Sequence, residues 1–239
     1  MLSVLSYNIL FGKRLPEILD WIRERSEQPK QFDIICFQEF PFSQISSLAD
    51  SALIKPFEHH TALSFRLSSK EFGQVTLINT KRIKVVEAEY LYLGTSFLEE
   101  KVLGIIGGRS ALATTCTYNG MDFTLVNTHL VAFGSNKHRR SQMAKIIDHF
   151  DTPHSGKHIP MIVLGDLNYS SLTGRGSLIR LMNAHEFTNA HTLNTHRLLT
   201  IKDHQLDYIF YKNMQVGDIK VLKLPFSDHL PITFTLQVK

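Results

Sequence analysis

Cysteine is nearly absent from this chain. Only Cys36 and Cys116 occur among 239 residues, each inside an apolar or β-branched run that reads as a strand. Buried reduced thiols are therefore expected, and neither a disulfide framework nor a cysteine zinc cluster is available. Long hydrophobic runs are lacking as well. No uninterrupted stretch approaches the ~20 residues of a membrane helix, and Met1-Leu2-Ser3-Val4-Leu5 has no basic segment leading into an apolar one. No signal peptide and no stable membrane insertion are expected, which makes the cytoplasm the expected location. Charge of one sign is scarce: 26 Lys and Arg against 22 Asp and Glu leave a formal +4. So small a bias would favour an anionic partner such as nucleic acid, but an ordinary solvated surface accounts for it equally well. Hydrophobic residues at 43% and charged residues at 20% exclude a disordered chain, and the length suffices for a sizeable core.

What is present is a repeated pattern: an apolar run followed by polar residues. Its clearest instance is Met161 to Asn168, Met-Ile-Val-Leu-Gly-Asp-Leu-Asn. Four apolar residues predict a short buried strand, Gly165 a backbone turn, and in extended chain Asp166 and Asn168 would project to one side. Taken alone, the segment reads equally well as an Asx turn. Ser3 to Ile9 predicts a first strand delivering Asn8, and Phe32 to Phe37 a strand buried on both faces and ending in Gln38-Glu39. A carboxylate there must be paired, protonated or bound to a cation, because burying it bare costs several kcal/mol.

Helices are predicted from Leu15, Ile18, Leu19 and Ile22, from Ile45, Leu48, Ala49 and Ala52, and from Met143, Ile146, Ile147 and Phe150. The last carries Lys137, His138, Arg139, Arg140 and Lys145, which read as a solvated face by default, with contact to a phosphate backbone as the alternative. Thr61 to Phe65, Val75 to Asn79 and Val85 to Leu93 read as consecutive strands with antiparallel pairing. Gly94 to Gly108 reads as a flexible loop before Arg109, whose expected fate is a surface ion pair or contact with a substrate phosphate. Asn119-Gly120 marks a hairpin between Ala111 to Tyr118 and Asp122 to Asn127, after which come Thr128-His129-Leu130. Thr173-Gly174-Arg175-Gly176 reads as a Gly-rich loop ahead of a helix capped by Ser177. It lacks the Gly-Lys-Ser/Thr element of a phosphate-binding P-loop. Leu206 to Tyr211, Val216 to Leu224 and Ile232 to Val238 complete the strands. The pattern fits one domain over residues 1–239, an α/β sandwich of two packed mixed β-sheets flanked by helices.

Asn8, Glu39, His129, Asp166, Asn168, Asp207, Asp228 and His229 lie at the ends of such strands, Asp207 at the start of its own. In layered α/β folds ligand sites gather where strand ends converge. Oxygen ligands without cysteine favour a hard cation, Mg²⁺ or Mn²⁺, over zinc, and this set suits hydrolysis of a phosphate ester.

Tyr7-Asn8, Gln38-Glu39, Thr128-His129-Leu130, Gly165-Asp166-Leu167-Asn168, Leu206-Asp207-Tyr208 and Ser227-Asp228-His229, in this order, resemble the endonuclease/exonuclease/phosphatase (DNase I-like) superfamily. The resemblance implies a four-layer α/β sandwich, a divalent metal and a phosphodiesterase or phosphomonoesterase reaction. It would place Glu39 on the metal with Asn8 and Asp228, Asp166 on the attacking water, and Asn168 on that water or the phosphate. His129 and His229 would donate to the non-bridging oxygens and Asp207 would hold His229. The general base is left open by the resemblance.

The substrate expected first is DNA or RNA. Abasic-site endonucleases are less well matched, since Tyr7 stands where they carry Trp. Gly165 to Tyr169 is similar to inositol-polyphosphate phosphatases and Leu206 to Tyr211 to deadenylase-type nucleases. Sphingomyelinase-like enzymes share Thr-His-Leu, but no exposed apolar hairpin is evident in the sequence. The rival from another class is a non-catalytic phosphate-binding protein of the same fold, which would be expected to have lost Glu39, Asp166 or His229. No protein partner is implied.

Overall fold

The computed structural model describes residues 1–26, 32–50, 56–151, 159–191, 193–197 and 204–238. In the first half lie β1 (Leu2–Asn8), α1 (Leu15–Ser26), β2 (Ile34–Pro41), α2 (Ile45–Asp50), β3 (Phe57–Leu67), β4 (Lys70–Asn79) and β5 (Lys84–Gly94). Next come α3 (Phe97–Lys101), β6 (Ile105–Gly107), β7 (Arg109–Tyr118), β8 (Met121–His129) and α4 (Asn136–Phe150). The chain continues with β9 (Met161–Asp166), α5 (Leu172–Ala184), β10 (Thr188–Asn189), β11 (Asp207–Lys212), β12 (Met214–Val221) and β13 (Ile232–Val238). Two sheets result, one in the order β12-β13-β1-β2-β4-β3-β6 and the other β10-β11-β9-β8-β7-β5. Both are mixed, because β1–β2 and β8–β9 pair in parallel while the other pairs are antiparallel.

Among the described residues the period-2 alternation of the strands builds three large cores, beside a small cluster of Phe65, Phe72 and Ile105, and with them the expected four layers. Leu5 and Tyr7 of β1, Ile35 and Phe37 of β2, and Val75 and Leu77 of β4 meet Leu15, Ile18, Ile22 and Leu48 of the outer helices. Their alternates Leu2, Val4, Ile34 and Cys36 face the second sheet, against Phe123, Leu125, Ile162, Leu164 and Ile209. On that sheet's far face, Ala113, Val126, Val163 and Phe210 pack on Met143, Ile146, Leu178 and Met182 of α4 and α5. Both cysteines are buried and free in the middle layer.

Several local expectations change. Residues 94–108 are not one loop, since they include α3, capped by Ser96, and β6. The Thr173 to Gly176 stretch is the first turn of α5, capped by Ser171 rather than Ser177. A Cβ on Gly174 would fall 2.6 Å from Asn136 Nδ2, so that glycine serves the close approach of α4 and α5. Gly165 lies within β9 with φ +129, where a Cβ would meet the Thr128 carbonyl oxygen at 2.0 Å. It allows two strands to approach rather than ending one. Arg139 is not part of a solvated face: it is buried and donates to the carbonyls of Val131 and Ala132. Ala52 and the Phe150 to Ile159 linker fall wholly or partly outside the described residues.

Along the strands the space between the sheets turns from apolar to polar, and a carboxamide pair spans it at the transition. Asn127 of β8 accepts from Gln38 Nε2 at 2.8 Å and donates to the carbonyls of Phe37 and Val75 at 3.1 and 3.2 Å. Asn127→Ala leaves these groups buried without partners and is expected to lower unfolding free energy by about 2–4 kcal/mol in urea titration. A loss below about 1 kcal/mol would show that the bridge carries little of the stability.

Candidate active site

The inward-facing positions that build the middle core run straight on into the site. Asn8 continues Leu2, Val4 and Ser6; His129 continues Leu125 and Asn127; Asp166 continues Ile162 and Leu164. Glu39 breaks this rule, because in a regular strand it would face away from Gln38's side. A register shift between Phe37 and Phe40 makes a bulge, Glu39 takes φ +56, and its carboxylate turns back to accept from Asn8 Nδ2 at 3.2 Å. The same amide nitrogen donates to Asp166 Oδ2 at 3.0 Å, so Asn8 ties together carboxylates from both sheets.

His129 Nε2 lies 3.5 Å from Asp166 Oδ2 and 3.9 Å from Glu39 Oε1. Ligand atoms of Glu39, His129 and Asp166 all fall within 4.8 Å of one another, and Glu39 Oε2 is buried without a hydrogen-bond partner. Two buried carboxylates with an orphaned oxygen fit a divalent cation, which would compensate charge the protein itself leaves exposed to the low dielectric. Burial pushes Glu39 above the usual carboxylate range against the pull of His229, Asn8 and Arg109. It also raises Asp166 to about 7, with Asp207 and Glu39 adding to the effect and His229 opposing it.

The two expected histidines sit in opposite fields. Burial, Arg109 and His229 all depress His129, so its ring is neutral. His229 is raised to about 10: burial disfavours its charge, but Asp207 and Asp166 prevail. Its Nδ1 is 2.8 Å from Asp207 Oδ2 and its Nε2 is 3.5 Å from Asp166 Oδ2, so a carboxylate–imidazole pair faces the third carboxylate.

Arg109 is placed differently from the surface pair expected. It is 2% exposed and donates to both oxygens of Glu99, which is 0% exposed, at 2.5 and 3.2 Å. Its guanidinium lies 4.5 Å over the Phe65 ring and 3.3 Å from His129 Nδ1. Asn168 also departs from the side-by-side geometry with Asp166. Its backbone N–H donates to Asp166 Oδ1 at 3.1 Å, the Asx turn, its φ is +56, and its side chain donates to the Leu130 carbonyl. Asp228 stands apart from the Glu39 group, with His196 and His229; His196 Nε2 is 3.5 Å from Asp228 Oδ2. Against burial, the hydrogen bond from His196 and the nearby His229 hold Asp228 down at about 2.

Sequence reasoning missed His196, whose ring stands edge-on to His229 at 4.7 Å, and Glu99, the partner of Arg109. Neither follows an apolar run. The Gln38 carboxamide was visible beside Glu39, but not its bridge to Asn127.

Taken together, fold and site define a layered α/β protein with a carboxylate–histidine centre suited to phosphate chemistry. The chain belongs to the endonuclease/exonuclease/phosphatase family, whose model matches residues 5–229. Members of that family hydrolyse phosphate esters. Among curated protein sequences there is no match. Similar solved structures include a mannosyl-6-phosphatase of Bacteroides thetaiotaomicron, 18% identical, with TM-score 0.73 and 99% of each chain covered. TDP2 of D. rerio, complexed with a single-stranded DNA product, is 15% identical with TM-score 0.74 over 99% of each chain. The human Nocturnin catalytic domain is 21% identical with TM-score 0.73, over 99% of this chain and 94% of that one. At these identities the likeness concerns the fold.

If Asp207 holds His229 as a charged donor, Asp207→Asn should move the alkaline limb of the pH–rate profile down from about 10. The sign follows because removing the carboxylate removes what favours the imidazolium. Asp207→Ala and His229→Ala should be strongly non-additive in kcat. An unmoved limb together with additive losses would dissolve the pair.

Proposed function

We propose that the chain is a divalent-metal-dependent phosphodiesterase in which water attacks phosphorus in line, with a nucleic acid strand as substrate. The observation that carries this reading is the convergence of Glu39, His129 and Asp166, within 4.8 Å of one another, beside the Asp207–His229 pair.

Glu39 would hold the cation through its unpartnered Oε2, with Asn8 fixing its other oxygen through Nδ2; Asp228, grouped with His196 and His229, would stay outside that set. When bound, the cation would neutralise charge on the phosphate oxygens. Asp166 would orient the attacking water and take its proton, a role that its raised affinity for a proton suits. His229, held protonated, would donate through Nε2 to a non-bridging oxygen as negative charge builds, while neutral His129 would donate through its single ring N–H. Arg109 would act behind His129, fixing its ring and its neutral state, rather than on the substrate. Asn168 would set the turn that presents Asp166.

A groove of about 510 Å³, lined by Phe11, Lys13, Gln44, Ser69, Lys70 and Phe72 among others, supports an extended substrate. It adjoins the site through Phe65, whose ring lies 6.4 Å from those of both Phe11 and His129. The half-buried Phe11 ring, with Lys13 and Lys70 lining the same groove, suits a base and its phosphates. One observation favours a second reading, a lipid-linked phosphodiester: an exposed apolar rim on the other side of the site.

Hydrolysis of single-stranded DNA, abasic duplex DNA, poly(A) RNA and a soluble inositol phosphate, each with Mg²⁺, Mn²⁺ or EDTA, tests the proposal. Metal-dependent cleavage of a nucleic acid is the expected outcome. Glu39→Gln should lower turnover by more than about a hundredfold, since even outer-sphere partners of a metal cost roughly 10–100-fold, and should raise the metal concentration needed for half activity. Near-normal turnover would remove Glu39 from that role, and silence of the wild type across the panel despite metal binding would favour the non-catalytic alternative.

A further inference from the structure

Large hydrophobic side chains are exposed on three neighbouring segments around the mouth of the site. On α3, its link to β6 and β6 itself, Phe97, Leu98, Val102, Leu103 and Ile106 all face solvent, Phe97 at 73%. Phe133 after β8 and Leu172, 83% exposed at the start of α5, extend the patch. The segments are joined. Ser96, the cap of α3, donates to the Phe133 carbonyl, and Glu99 of α3 accepts from the backbone N–H groups of Ala132 and Phe133. Asn136, three residues on, donates to Ser171 Oγ beside Leu172.

The rim is not a loose loop whose apolar residues happen to be out. Glu99 is fully buried in its ion pair with Arg109, and Arg109 touches His129, so α3 is fixed two contacts from the centre of the site. Single exposed hydrophobics need no explanation, but seven on one rigid rim do. Cationic residues fringe the rim: exposed Lys101, paired with Glu100, and exposed Lys137 and Arg140 on the first turns of α4.

We propose that this rim docks the protein on a phospholipid bilayer surface carrying anionic headgroups. Five of the seven side chains are aliphatic and offer no face on which a nucleic-acid base could stack, whereas hydrocarbon is the phase in which they gain most. An apolar edge bordered by lysine and arginine is the composition of an interfacial anchor, with the cations meeting anionic headgroups as the apolar side chains enter the boundary. Docked this way, the mouth of the site would face the headgroup layer, where phosphodiesters are concentrated. The contact goes beyond the phosphodiesterase reading and does not depend on it.

The test is co-sedimentation of the full chain with vesicles of phosphatidylcholine alone and of phosphatidylcholine mixed with phosphatidylglycerol, at low and high salt. Binding should be about tenfold or more stronger to the mixed vesicles and should fall about tenfold or more in the Phe97→Ser, Leu172→Ser double variant. Both residues are exposed, so an unchanged urea midpoint would confirm the fold of the variant without reference to catalysis. Equal binding to both vesicle types, or binding that the variant leaves unchanged, would overturn the proposal. So would absence of vesicle binding combined with a doubled solution mass that the variant reverses, which would make the rim a self-association surface. Loss of single-stranded DNA binding in the variant, without vesicle binding in the wild type, would assign the rim to nucleic acid instead.

Discussion

The site depends on the hydrogen bond that carries Gln38 across to Asn127. Apolar contact between two sheets is non-directional and leaves them free to slide. The carboxamide pair removes that freedom, because its donors and acceptors are buried and have no water to fall back on. Its position matters as much as its strength. Glu39 follows Gln38 directly and His129 lies two residues beyond Asn127, so the bond that sets the relation of the sheets also sets the distance between a carboxylate of one and an imidazole of the other. Asn8 repeats the device one layer further out by donating to Glu39 and Asp166 together.

Around that fixed frame the electrostatics divide the site into two halves. Burial, with Arg109 and His229 beside it, denies His129 a proton; Asp207 and Asp166 give His229 one. Two residues of one type thereby become different reagents, as a reaction needing both a fixed cationic donor and a neutral one requires. The remaining carboxylates are left under-compensated. Glu39 on its bulge at φ +56 and Asp166 at the end of β9 are both pushed toward protonation by burial. Strain and desolvation at the same residue are tolerable where a cation relieves the second, and neither has a structural use in the sheet.

Much of this was legible in the sequence because the site is an extension of the core. Each apolar strand announces where its inward face ends, and the polar residue appearing at that point is Asn8, His129 or Asp166, with Asp207 opening the strand beside Asp166. Period-2 reasoning fails where backbone geometry departs from a strand. It could not foresee that a bulge redirects Glu39, and at Asn168 the structure takes the Asx turn that the residue types leave as the alternative. Partners brought in from elsewhere were invisible for a different reason. Glu99 lies on a five-residue helix inside a stretch that reads as a loop, and His196 follows no apolar run, so neither carried a local signal. Composition misled at α4 only for Arg139; Lys137, Arg140 and Lys145 of the same basic run are exposed, as a solvated face requires.

Arg139 shows why that run is weak evidence about the substrate. It hydrogen-bonds the carbonyls of Val131 and Ala132 and the Asn136 side chain, and Lys145 is bonded to the Tyr92 carbonyl, so part of the cluster is structural. What Arg139 secures is the segment between β8 and α4, which holds Leu130 under Asn168 on one side and presents Phe133 on the other. The same cation therefore supports the turn that aims Asp166 and the rim that borders the mouth of the site. A formal +4 spread this way offers no continuous track for a polyanion across α4. On the proposed reading, substrate choice would rest with the two surfaces that flank the carboxylates, the groove at Phe11 and the aliphatic rim at Phe97, rather than with net charge.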